Sequence, residues 1–400
     1  MKTTYFALFL ILVAGRTSGG TASSSSHYFQ KTPYSVLPSS NSVTIMWQST
    51  AGSSDLGYVQ YGTNQSLDQT VSNSSGWMIE GEGYVHEITL TGLTPFTRYY
   101  YRAGDGHSNM SSICSAKTAP GKGRNFRIVS VADTHDNHCG IWESMNPVIC
   151  AEEPDLVMFI GDLVNDGSMR TTWDRCFFEP GEPVLSSFTM SGSIGNHETY
   201  NGVTTYYDYF SFPTHPDNGE PGERDPKGMA YFSFPYGDVR VIAININNDD
   251  YSPAFSTGSE QLTWLDHEIA SATEKWIFIF HHVCVLSTSY HAQWSEAQKT
   301  YILPVYETYA QQGKRILVFS GDEHNFEHLC KDGVNYFRPG CANNSLRDTD
   351  LNLDDVPYRV FFKKTPGYST IDISDNGNTV TLTAYDQEGT EFYSTHFEAE

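Results

Sequence analysis

RIVSVADTH (residues 127–135), LVMFIGDLVN (156–165), MSGSIGNHE (190–198), WIFIFHH (276–282) and ILVFSGDEH (316–324) follow one plan: a short apolar run that ends on metal-binding side chains. The tips are Asp133 and His135, Asp162 and Asn165, Asn196, His197 and Glu198, His281 and His282, and Asp322 and His324. A buried strand is a costly place to leave Asp and His unpaired, so the tips need a shared partner. Taken singly, each has an ordinary explanation: Asp after Gly is a common turn, and a strand-end His is often a hydrogen-bonded core residue. Five in succession are not explained that way. Asp, Asn and His suit Zn, Mn or Fe, and two divalent cations would serve every tip at once.

Working outward, helix-like segments alternate with these runs, the signature of an α/β layered domain. Open α/β sheets bind ligands beyond the carboxyl ends of their strands, where the tips lie. Thr257 and Glu260 suggest a capping box, with Leu262, Leu265 and Ile269 on one helical face. Residues 295–312 suggest a second helix, and 201–227, rich in Gly, Pro and Tyr, suggest loops beside the tips. Near the end, TIDISDNGNTVTLTAYD predicts a hairpin turning at Asn376-Gly377.

Before residue 119 the pattern changes. SVTIMW points Val43, Ile45 and Trp47 to one side, YVQYG alternates likewise, and HEITLTGLTPFTRYYYRAG places Ile88, Leu90 and Leu93 before a Pro turn and a Tyr-rich strand. The reading is an all-β sandwich over 28–119, a linker at 119–124 and a larger domain over 122–400. Residues 1–20 read as a signal peptide: Lys2, an apolar run from Tyr5 to Ala14, then small residues. That run is too short to span a membrane, which needs roughly 20 apolar residues, so the expectation is an exported protein without a membrane span. Sequons at Asn64, Asn73, Asn109 and Asn343 agree with export.

Charge narrows the partners. Asp and Glu number 47 against 24 Lys and Arg, a net charge of −23; such a field repels nucleic acid and anionic lipid while permitting small phosphate esters. The seven cysteines leave at least one unpaired and lack zinc-ribbon spacing. Their pairing is not readable from sequence, and Cys139 with Cys176 and Cys330 with Cys341 are conjectures. Phosphate-cradling Gly-rich loops and the G-x-S-x-G elbow are missing, which excludes P-loop, dinucleotide and serine-hydrolase chemistry.

The series D-x-H, G-D-x-x, G-N-H-E, a strand-end His and G-x-x-H resembles the calcineurin-like metallophosphoesterase superfamily. With the N-terminal fibronectin type III-like sandwich, it is most similar to the plant-type purple acid phosphatases. The resemblance implies that sandwich followed by a larger α/β domain of α/β/β/α type. It also implies two metal ions, one on Asp133, His135, Asp162 and His324, the other on Asp162, Asn196, His281 and Asp322, with Asp162 bridging. His281 is preferred to His282 because the family's ligand comes directly off the strand, and His282 would then stand behind it. A metal-bridging hydroxide would attack a phosphate monoester, His197 would act as general acid or phosphate contact, Glu198 would orient its ring, and His291 would be a further phosphate contact. The implied protein is an acid phosphatase, secreted or held in an endolysosomal or vacuolar lumen.

Two departures stand out. Asn165 replaces the Tyr that colours purple acid phosphatases, so the expected enzyme is colourless. Gly321-Asp322-Glu323-His324 replaces G-H-x-H, and Asp322 would ligate through oxygen. The alternatives are a phosphodiesterase or nucleotide-hydrolysing enzyme, and a catalytically degenerate secreted binding protein.

Overall fold

A computed structural model describes residues 28–135, 139–202, 205–213, 230–247, 256–289, 296–349 and 356–399. The expected signal peptide, His291 and most of 201–227 lie outside the described residues.

The alternation of Val43, Ile45 and Trp47 builds one wall of a sandwich core with Val59, Ile88, Leu90, Tyr99 and Tyr101. Two four-stranded antiparallel sheets enclose it. One runs in the order Phe29–Val36, Ser42–Thr50, Gly83–Thr91, Gly76–Ile79; the other runs Gln69–Asn73, Gly57–Gly62, Arg98–Gly104, Cys114–Lys117. The strand Ser42–Thr50 is nevertheless buried on both faces. Met46 joins Tyr34, Val36, Ile79 and Val85 in the core of the larger domain, so this sheet is shared between two cores.

A buried lysine closes the seam. The Lys31 ammonium lies 2.6 Å from Asp174 Oδ1, donates to Gln48 Oε1 at 2.7 Å and sits 3.8 Å above the Tyr209 ring. Burial lowers its pKa and the Asp174 carboxylate opposes that. Beside it, Tyr34 donates its hydroxyl to the Tyr209 carbonyl, and Arg170 pairs with Asp208 at 2.6 Å and Glu82 at 3.7 Å. The stretch read as a linker is also held: the Ala119 N–H donates to the Ser39 carbonyl, and Pro120 O accepts from Gly237.

From Phe126 onward two mixed sheets share one core. The first has the order Met190–Ser193, Leu156–Ile160, Phe126–Val131, Gly367–Ser374, Thr379–Asp386, Glu391–Glu398, and its first three strands are parallel. The second runs Phe232–Tyr236, Val239–Ala243, Trp276–Phe280, Ile316–Phe319, Val334–Pro339, Phe326–Lys331, Arg359–Lys363. Helix Gly140–Ala151 buries Trp142, Met145 and Ile149, and helix Glu260–Ser271 buries Trp264, Leu265 and Ile269. This is the α/β/β/α layering.

Local readings fare unevenly. Helix Glu296–Gln311 and the hairpin through Asp375–Gly377 stand where the patterns put them. The capping box does not form: Ser259 is the capping residue, and its Oγ accepts from the Ser256 N–H. Cys139 pairs with Cys176, whereas Cys330 is exposed, Cys341 is buried, and both are free.

Removing one partner of a buried ion pair costs about 3–5 kcal/mol, while replacing both partners by apolar residues of similar volume costs far less. Lys31→Ala should therefore lower the unfolding midpoint in urea strongly, and the double change Lys31→Met with Asp174→Leu should recover most of that loss.

Candidate metal centre

Each apolar run ends at the carboxyl edge of its sheet, and parallel pairing brings the tips side by side. Val131 pairs with Phe159, Ile160 with Ser193, and Phe280 with Phe319. The two sheets then meet through their tips. His282 Nδ1 lies 2.7 Å from the Ile160 carbonyl, and the Asp322 N–H donates to Asp133 Oδ1 at 3.1 Å. Gly161 sits at φ +69°, and a Cβ there would come within 2.7 Å of Gly195 and 2.8 Å of His282, so only glycine permits this approach.

The backbone at the tips is strained. Asp133 (φ 54°), Asp162 (φ 53°), Asp322 (φ 70°) and His324 (φ 44°) all occupy the left-handed region. Such conformations cost about 1–3 kcal/mol each and persist where the surroundings enforce them, commonly at functional sites. Glu198 enforces one. Its Oε2 accepts from the Asp162 and Gly195 N–H groups at 2.8 and 2.7 Å, and its Oε1 accepts from Leu163 at 2.7 Å. Burial and the Asp162 carboxylate push the Glu198 carboxyl up to about 7 against these three donors. The expectation that Glu198 orients the His197 ring is thereby corrected: it clamps the backbone that carries Asp162.

The His197 ring is set instead by Asn165, whose carbonyl accepts from Nδ1 at 2.7 Å. The same device recurs. His282 Nδ1 lies 2.7 Å from Ile160 O, His324 Nδ1 lies 2.9 Å from Ser345 O, and His135 Nδ1 lies 3.0 Å from Asn165 Oδ1. An oxygen acceptor requires the proton on Nδ1, so each neutral ring keeps a lone pair on Nε2. These Nε2 atoms converge on two buried carboxylates. His282 Nε2 is 3.0 Å from Asp162 Oδ2 and 3.8 Å from Asp133 Oδ1; His324 Nε2 is 3.4 Å from Asp133 Oδ1. His135 and His197 each bring Nε2 to 3.6 Å from Asp162 Oδ2. Three overlapping groups result: Asp133, His135 and His324; His135, Asp162 and His197; Asp133, Asp162 and His282.

Several observations fit this donor set to cations. His135 and His324 face each other Nε2 to Nε2 at 3.2 Å, two lone pairs that only a proton or a cation reconciles. Asn196 Oδ1 is buried without a hydrogen-bond partner. Charge points the same way. Burial alone would raise Asp133 and Asp162, yet neighbouring imidazoles, His324 and His282 foremost, hold both carboxyls below the usual range. Burial disfavours charge on His282, but Asp162 and Asp133 outweigh it and raise the imidazole well above its ordinary value. A bound cation would replace that compensating proton.

Of the two adjacent histidines, His282 rather than the sequence-preferred His281 lies beside the carboxylates, although His281 also has a buried Nε2 without a hydrogen-bond partner. His281 turns Nδ1 to the Val283 carbonyl at 2.8 Å, and burial pushes the ring down to about 4. His282 is the ring brought to the carboxylates. Asn165 braces His135 and His197 from behind. Asp322 is buried beside Asp133 but lies outside the three groups. The clamp by Glu198 was not foreseen, although the Glu198 of G-N-H-E was its visible signal.

The family model described as calcineurin-like phosphoesterase matches residues 126–326, just over half of the chain. The chain belongs to the calcineurin-like phosphoesterases. The model for the purple acid phosphatase N-terminal domain matches residues 33–118 of this phosphoesterase. Its relatives include Purple acid phosphatase 23 of Arabidopsis thaliana, 25% identical over 342 residues, covering 72% of this chain and 70% of the relative. Probable inactive purple acid phosphatase 27 of the same plant is 25% identical over 306 residues, covering 67% of this chain and 47% of the relative. The chain thus spans under half of that second relative's length. Purple acid phosphatase PPD1 from yellow lupin (Lupinus luteus) seeds shares the fold with a TM-score of 0.74 at 16% identity, over 92% of this chain and 75% of that one. PhoD does so with 0.68 at 16%, over 94% of each.

The two adjacent histidines separate cleanly by experiment. His282→Ala should lower the metal bound per chain, measured by elemental mass spectrometry, and His281→Ala should leave it unchanged.

Proposed function

We propose that this phosphoesterase is a phosphomonoesterase carrying two divalent metal ions, drawn from Zn, Mn or Fe. The observation that carries the reading is the convergence of bare Nε2 atoms on the buried Asp133 and Asp162 carboxylates. One ion would be held by Asp133, His135, Asp162 and His324, and the other by Asp162, Asn196, His282 and Asp322. When bound, such ions supply a nucleophile from water at neutral pH and neutralise phosphoryl charge.

The chain's own residues do the rest. Glu198 and the left-handed turn fix Asp162 between the two ligand sets. The Asn165 carbonyl holds the His197 Nδ1 proton, which leaves Nε2 to carry a proton to the departing ester oxygen. The His197 side chain is 23% exposed, against 2% for Asp162, so it stands on the substrate side of the buried carboxylates. Asn165 accepts from His135 rather than offering a phenolate, which supports a colourless enzyme. His291 is retained as a proposed phosphate contact.

For location we infer export to the cell exterior or to an endolysosomal or vacuolar lumen. The apolar N-terminal run and the Cys139–Cys176 pair support this. Among the described residues no helix is long and apolar enough to cross a membrane. Asn64 and Asn73 are exposed and open to glycosylation. Asn343 is buried, and its Oδ1 accepts from the Ser345 N–H at 2.7 Å, so a glycan does not fit there.

A second reading is a binding protein with a degenerate site. It is favoured by Asp322 standing where the family has His and outside the ligand groups. Turnover decides between them. The metal-loaded protein should hydrolyse p-nitrophenyl phosphate faster than bis(p-nitrophenyl) phosphate, and the reverse order would make it a diesterase. His197→Ala should lower kcat by about 10²–10⁴-fold, the usual range for general acid–base catalysis, with bound metal intact. No turnover by the parent, with activity appearing in Asp322→His, would establish the binding-protein reading.

A further inference from the structure

Three rings form a file out of the site. The buried His135 ring lies 4.3 Å from that of His197 with a 31° tilt, and His197 lies 4.6 Å from Tyr200 with a 41° tilt. Exposure rises along the file, from 7% for the His135 side chain and 23% for His197 to 41% for Tyr200. Among the described residues, Tyr200 is one of the few large hydrophobic residues so exposed. It is also anchored, because its hydroxyl lies 3.2 Å from His197 Nε2. With the His197 Nδ1 proton committed to Asn165 O, the phenol donates in that contact while the ring is neutral and accepts once Nε2 is protonated.

A fixed, exposed aromatic ring beside the proton-carrying histidine has a consequence for substrate choice. An ester whose phosphorus lies over the carboxylates directs its leaving oxygen toward His197, and the rest of the leaving group extends past it. We propose that Tyr200 is a specificity-determining residue, the platform on which an uncharged, planar aromatic leaving group stacks, so that aryl-type phosphates are favoured over aliphatic ones. The net charge of −23 adds to this, since it disfavours leaving groups bearing further negative charge. The inference rests on the phosphoesterase reading of the site.

The test measures binding rather than turnover, so the two can fail separately. Phenylphosphonate and methylphosphonate, which cannot be hydrolysed at their carbon–phosphorus bond, are titrated calorimetrically into the metal-loaded protein. The wild type should prefer phenylphosphonate. Tyr200→Phe, which keeps the ring and loses the hydroxyl, should keep the same ratio of affinities. Tyr200→Leu should cut that ratio roughly three- to tenfold, the scale of an aromatic pair. Any change in metal site or phosphonate binding common to both ligands cancels in the ratio. A wild type without a preference for the phenyl compound, or Tyr200→Leu with an undiminished ratio, overturns the inference. Preserved phenyl preference without hydrolysis of any ester would instead sink the catalytic reading alone.

Discussion

The buried Glu198 carboxylate, accepting the N–H groups of Asp162, Leu163 and Gly195, is the contact on which the centre depends. It binds the tips of two neighbouring parallel strands into one unit and holds Asp162 in a left-handed conformation that an aspartate avoids. Asp162 in turn draws His282, His135 and His197 toward a single oxygen. Without the clamp, three imidazoles would face a carboxylate free to turn away. The glycines at 161 and 195 belong to the same constraint, since a side chain at either would occupy the space of the partner loop.

The arrangement explains why both domains are needed to understand the site. The loop that carries Asn196, His197 and Glu198 runs on toward Tyr209, and Tyr209 is gripped by Lys31 and Tyr34 of the sandwich. Arg170, nine residues after Gly161, reaches both Glu82 and Asp208. The sandwich sheet therefore backs the segments that flank the ligands, and its strand Ser42–Thr50 is buried on both faces for that reason.

Much of this was legible in the sequence, because it depended on local period and strand ends. The five tips lie at carboxyl edges, the β-sandwich precedes the α/β domain, and the Asn376-Gly377 hairpin closes where its turn chemistry says. What was not legible depended on contacts distant in the chain. The sequence prefers His281 as the residue directly off the strand, whereas the fold brings His282 to Asp162, its ring held by Ile160 O, 122 residues away. Glu198 reads as a partner for its neighbour His197 until the fold brings Asp162 and Leu163 to it. The burial of Lys31 likewise depends on residues distant in the chain, Asp174 and Tyr209. Ser259 displaces Thr257 as the helix cap because the turn before the helix closes two residues later than the pattern suggests.

Asp162 is proposed to stand between two metal positions. Crystals grown with zinc, with diffraction collected on either side of the zinc absorption edge, test it directly. Two anomalous peaks are expected to flank the Asp162 carboxylate, one beside His135 and His324 and the other beside His282 and Asn196. A single peak, or none touching Asp162, would contradict it.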